Sequence, residues 1–241
     1  MKSNRTIISM VFLIISVILC SNLYALDADM IIEKVDSFRI YSEDGFAFDM
    51  NVIDNEDESS LLRIYVNEYD ESLCAYQGED RGTYILLKDN SFWFYDSDMN
   101  SPIRLSERQL LVGQASSGDI TRIVFAELYD ITNSEETENE YILYLTAKSN
   151  EGATYDSIKL YVNKENLKPI KAECFSRTDI MLKTIYYKEF DKIDGRDLLT
   201  GFEIVNELSK ESSYVNLSNF NEEKLPSNYF NKNYMRYLRL H

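Results

Sequence analysis

From residue 27 onward the apolar positions fall first at a helical interval and then at every second residue. Met30, Ile31, Lys34 and Val35 share one helical face behind Asp27 or Asp29 as caps, which predicts a short helix over 27–37. Phe46, Phe48, Met50 and Val52 then alternate with Ala47, Asp49 and Asn51, the pattern of a strand with one wet face. Leu62, Ile64 and Val66 alternate in the same way with Arg63, Tyr65 and Asn67. Strands over 84–88 and 91–95, joined by Asp89-Asn90, and around 103–105 continue a meander. A second series covers 141–148, 155–163, 169–176, 181–190, 201–208 and 213–218. Between the two series alternation is lost. Leu110, Leu111, Ile120, Ile123, Val124 and Leu128 instead suggest one or two helices around a loop at 113–118.

This pattern predicts a mostly β (α+β) fold: a curled, half-closed antiparallel β-barrel of about eleven strands, with helices covering the concave face. A sheet that long must curl, or it leaves edges and an unpaired apolar face. Curling under a helical cover creates a cavity suited to an apolar ligand. The inward positions are Phe46, Phe48, Met50, Leu62, Ile64 and Val66, with Leu110, Leu111, Ile123 and Val124 from the insert and Trp93 among Phe92, Phe94 and Tyr95. Alternation alone does not separate such a cavity from a filled core, and an aromatic cluster such as that around Trp93 equally suits sheet packing.

The first residues change the picture by giving the chain an address. Lys2 and Arg5, an apolar run from Ile7 to Cys20 and a polar stretch ending at Ala25 form the three parts of a secretory signal. A bilayer core asks for ~20 apolar residues, which neither this run nor any later segment supplies. Residues 1–25 are therefore expected to be a cleaved signal peptide and 26–241 a single exported, soluble domain. The alternative is a lipoprotein signal in which Cys20 becomes the lipidated N-terminus, although Leu19 stands where a small residue is usual. The whole chain carries a net charge of −16. Such a balance excludes a polyanion-binding surface built on clustered Lys and Arg, so no nucleic acid is expected.

Few chemistries remain. The one histidine is His241, which removes Ser-His-Asp and Cys-His systems and histidine-based zinc sites together. Acid pairs such as Asp96 with Asp98, or Glu135 with Glu136, fall in turn-like or charge-rich stretches of a chain with 41 acids and do not make a glycosidase pair. Residues 130–140 read as an acidic loop and 148–154 as a polar turn, without the ligand alternation of a calcium loop. No catalytic residue, cofactor or metal is expected. Cys74 and Cys174 lie in strand-like segments and are either two small buried residues or one disulfide.

The stretch Arg81-Gly82-Thr83-Tyr84-Ile85-Leu86-Leu87-Lys88, its Asp89-Asn90 turn and the strand Ser91-Phe92-Trp93-Phe94-Tyr95 ahead of Pro102 resemble the outer-membrane lipoprotein-sorting family of LolA-like carriers. The hairpins at 155–162, 169–176 and 182–187 are similar to that family's central hairpins. Thr178-Asp179 stands where its turn commonly has glycine, and Leu225-Pro226, Phe230 and 234–238 resemble its ending. The resemblance implies a periplasmic carrier, a monomer and no enzyme, that shields the acyl chains of a lipoprotein or related lipid. It would receive them from an inner-membrane transporter and pass them to an outer-membrane acceptor. By analogy with the carriers' use of an arginine, Arg63 and Arg81 are candidates for holding a lid closed. The competing expectations are a lipidated acceptor of the same fold, anchored through Cys20, and a non-carrier envelope protein with a filled core.

Overall fold

In the computed structural model, residues 27–56, 58–121, 124–148 and 152–240 are described. Residues 1–26, which include the expected signal peptide and Cys20, and Ile123 lie outside the described residues. Helix α1 (Ala28–Ser37) starts where Asp27 accepts a hydrogen bond from the Asp29 amide at 3.4 Å. Its Ile31, Ile32 and Val35 are buried against the sheet, while Met30 faces water.

Among the described residues there are fifteen strands, thirteen of them in one antiparallel sheet. The first series is β1 (Phe46–Asp54), β2 (Ser59–Val66), β3 (Ser72–Tyr76), β4 (Tyr84–Lys88), β5 (Ser91–Tyr95) and β6 (Ile103–Leu105). The second is β9 (Tyr129–Glu136), β10 (Glu140–Ala147), β11 (Ser157–Asn163), β12 (Pro169–Phe175), β13 (Met181–Ile193), β14 (Arg196–Asn206) and β15 (Ser212–Glu222). Each series is a meander, and β15 pairs with β1, placing Met50 opposite Leu217 and Val52 opposite Val215. The two series thus become one curled sheet that does not close, with β6 and β9 at its edges.

The expected strands are present, and the strand count exceeds the expected eleven for three reasons. β3 falls outside the expected set, because all five of its residues are buried, Ser72 included, and show no alternation. Residues 130–136 form an edge strand rather than a loop, since hydrogen bonds to β10 hold them while most of their side chains point to water. The insert opens as a small hairpin, β7 (Leu110–Val112) with β8 (Ala115–Ser116), before two short helices, α2 (Ser117–Thr121) and α3 (Phe125–Leu128). Leu110 and Leu111 therefore belong to a strand, not to a helix.

The sheet buries both faces of its first half. Phe46, Phe48, Met50, Leu62, Ile64 and Val66 face inward with α1 in the main core. On the convex face Tyr65, Leu73, Ala75, Tyr84, Leu86 and Tyr95 are covered by Phe230, Met235 and Leu238 from the C-terminal 3-10 turns. Cys74 and Cys174 are both free and buried, so neither is bridged.

Candidate ligand-binding site

The second half of the concave face is covered differently. There the floor is built by alternate residues of four neighbouring strands: Ile158 of β11, Ala172 and Cys174 of β12, Ile185 and Tyr187 of β13, and Leu199 and Phe202 of β14. Over it lie Gly118 and Asp119 of α2, Val124, the α3 residues Phe125 and Leu128, and Tyr129. Between floor and cover remains a mainly apolar cavity of about 50 Å³. That is room for a few water molecules. α2 approaches the loop before β11 so closely that a β-carbon at Gly118 would overlap the Thr154 side chain.

Two polar devices fix this cover. In the first, Lys183 of β13 reaches up to donate to Asp119 Oδ2 and to the Gln114 carbonyl, both at 2.6 Å. The same carboxylate accepts from Ser116 N and Oγ at 2.9 and 2.7 Å and, through Oδ1, from the Tyr155 hydroxyl at 2.7 Å. Burial pushes the Asp119 carboxyl up, but the Lys183 charge and the hydrogen bonds from Lys183 and Ser116 outweigh it and hold the group below its ordinary range. In the second device Asp36 of α1 caps α3, accepting from the Phe125 and Ala126 amides at 2.8 Å each. Burial dominates here and raises its pKa to about 6, with the two amides opposing. Lys148 adds a 2.8 Å bond to the Ala126 carbonyl.

Of the candidate cavity residues, Val124 from the insert lines this cavity. Phe46, Phe48, Met50, Leu62, Ile64 and Val66 lie in the adjoining core, where α1 fills the space above them. Leu111 packs against that core and Leu110 is 42 % exposed on the hairpin. Trp93 stands on the opposite, convex face, because its partner Leu86 belongs to the cluster under the C-terminal turns; Lys232 lies over its ring. Arg63 does bond a backbone carbonyl, but that of Asn219 at 2.9 Å, and together with Asp49, Asn221 and Glu223 it fastens β1 and β2 to the end of β15. Arg81 is exposed in the turn before β4. The groups that hold the cover, Lys183, Asp119 and Asp36, were missed. The available signal was a lysine at an inward strand position and an acid on the apolar stripe of a helix.

Among the described residues no three His, Cys, Asp or Glu side chains are grouped as metal ligands. A protein-family model described only as an uncharacterized protein matches residues 70–237. No curated protein matches the sequence. The crystal structure of a LolA superfamily protein from Nitrosomonas europaea is similar at a TM-score of 0.74 and 31% identity, over 87% of this chain and 100% of that one. A putative outer membrane lipoprotein-sorting protein domain from Vibrio parahaemolyticus and a DUF1329 family protein from Desulfovibrio piger each match at a TM-score of 0.69 and 18% identity, over 86% of this chain and 97% of theirs. The latter two support the same half-closed sheet, and the first, matched along its whole length, adds sequence kinship: the chain belongs to the LolA superfamily.

Proposed function

We propose that the protein is a non-enzymatic carrier of the bacterial envelope that holds the acyl chains of lipoproteins, or of a related lipid, between the concave sheet face and the α2–α3 cover. The observation that carries this reading is the apolar cavity that remains where the short helices α2 and α3 roof the concave face. Ligand pockets measure about 300–1,000 Å³, so the cavity of about 50 Å³ represents a shut state. Admitting a chain requires the cover to swing away, and α2 and α3 are helices of five and four residues held mainly by the Lys183 and Asp36 contacts.

The energetics suit a carrier. A buried methylene contributes about 0.8 kcal/mol, so a fourteen-carbon chain gains about 11 kcal/mol on leaving water, enough to displace a cover of this size. No bond needs to be made or broken. The similar Vibrio parahaemolyticus domain is a putative outer membrane lipoprotein-sorting protein, and a carrier of that kind suits residues 1–25 as a cleaved signal and 26–241 as one periplasmic domain. In such a cycle the donor is an inner-membrane transporter and the acceptor lies in the outer membrane.

The test is direct. Protein purified from the envelope should release acylated species on extraction, and the delipidated protein should take up a fluorescent fatty acid. Absence of both would defeat the carrier reading. An intact mass beginning at Leu26 identifies the diffusing form, and a diacylated Cys20 identifies a tethered acceptor.

A further inference from the structure

Two polar side chains lining the cavity have hydrogen-bonding capacity that the fold does not fill. The Tyr187 hydroxyl is buried and has no hydrogen-bond partner among the described residues, although the residue itself is only 8% exposed. Leaving a buried hydroxyl unpaired is unfavourable, and such orphans are uncommon unless a ligand or water completes them. Arg39, just beyond α1, lines the same cavity half-buried; among the described residues its guanidinium forms no ion pair or side-chain hydrogen bond, and its charge acts on Asp36 and Tyr187 only through space. In a chain of net charge −16 an arginine beside an apolar cavity without a direct hydrogen-bond partner is a second group with donors to offer a ligand. The other charged side chain lining the cavity, Asp119, is satisfied by Lys183, Ser116 and Tyr155.

We propose that Tyr187 and Arg39 form a head-group subsite, which binds the carbonyl or carboxylate oxygen of an acyl chain whose hydrocarbon lies along Ile158, Ala172, Ile185 and Phe202. This deepens the carrier reading and rests on it. The hydroxyl is the donor in that contact. Burial keeps the phenol protonated far above neutral pH, with Arg39 opposing only in part, so it meets an acceptor oxygen as a neutral O–H. The guanidinium supplies positive charge for a carboxylate, or a donor for an ester carbonyl. The β13 bulges that follow Tyr187 at Glu189 and Phe190 change the strand's course immediately beyond the ring, opposite Gly201 and Leu199. A cavity serving hydrocarbon alone has no need of either group. An acyl ligand, in contrast to an alkane, has one oxygen-bearing end to anchor.

The experiment displaces a bound fluorescent acyl probe from the full, delipidated protein with palmitate, methyl palmitate or hexadecane. Tyr187→Phe keeps the ring and removes only the hydroxyl. It should weaken both oxygen-bearing ligands about 10-fold, the scale of one hydrogen bond to a buried group, and leave hexadecane unchanged. A thermal melt equal to or above that of the parent shows that the fold is intact. Arg39→Met, at a half-buried position, is the second variant. A loss confined to palmitate assigns a free carboxylate, and an equal loss for palmitate and methyl palmitate assigns an esterified chain; either supports the subsite. Equal weakening of all three ligands by Tyr187→Phe, or no change in any, means that the hydroxyl holds only water and overturns the inference while the carrier reading stands. If none of the three displaces the probe from the parent protein, both fall.

Discussion

Asp36 is one carboxylate with two demands on it. Its oxygens cap the two α3 amides, yet it is only 3% exposed, and burial raises its pKa from the model-peptide 3.8 to about 6. A carboxyl whose folded pKa lies above its unfolded one favours folding most when protonated. Its contribution is therefore present below about pH 4 and lost as pH rises to about 6. The whole excursion is worth about 3 kcal/mol. Asp119, held low by Lys183, acts in the opposite direction and only in more acidic solution. Asp36→Asn cannot titrate and gives up one of the two amide bonds. The stability gap between parent and variant, read from denaturant midpoints, should move in the variant's favour by up to about 3 kcal/mol from pH 4 to pH 7. A gap independent of pH would mean that the carboxyl titrates normally. The local sequence marks Asp36 as out of place on an apolar stripe but does not say what it holds. Asp36 directly follows Val35 on the apolar stripe of α1, and only α3, ninety residues later, explains why an acid belongs there.

At the scale of elements, the cover is a hairpin and two helical turns fastened to the sheet through Lys183. Lys183 and Asp119 are both nearly closed off from water, at 8% and 3% side-chain exposure, so the pair is strong only while intact. Lys183→Met leaves Asp119 buried without its counter-ion and removes the bond to the Gln114 carbonyl. The expected loss is about 3–5 kcal/mol, with amide exchange at residues 114–121 accelerating first. Adding Asp119→Asn should recover part of that stability, because the stranded charge is gone. If the double variant is no better than the single one, the two residues do not act as a pair. Alternation made strands such as β11 legible, because one buried face imposes a period of two; β1 and β2 alternate as well, but the face expected to be wet is partly covered, with Ala47 and Tyr65 buried under the C-terminal turns. β9 was not legible, since Asp130, Ser134, Glu135 and Glu136 on an edge need neither face apolar. The insert read as helix because its apolar residues are spaced for one, while backbone pairing across Gly113 draws Leu110 and Leu111 into a hairpin.

The whole molecule is an open sheet, and an open sheet has two edges to protect. The pairing of β15 with β1, which joins the two meanders, was invisible in the sequence, because no local pattern states which of thirteen strands will meet. Once it is known, the acidity of 130–140 becomes intelligible as edge protection rather than as a solvated loop. β9 presents unpaired backbone groups along its outer side, and charge there opposes a second sheet docking strand to strand. Glu135 accepts from Tyr144 at 3.0 Å and Glu136 pairs with Lys164; both are exposed contacts that contribute little to folding. Replacing both glutamates with valine should thus leave the unfolding midpoint nearly unchanged. The same change raises strand propensity and removes two charges from a template of free amides and carbonyls. Sedimentation velocity should then show concentration-dependent association absent from the parent protein. A variant that sediments exactly like the parent at every concentration would remove edge protection as the reason for those acids.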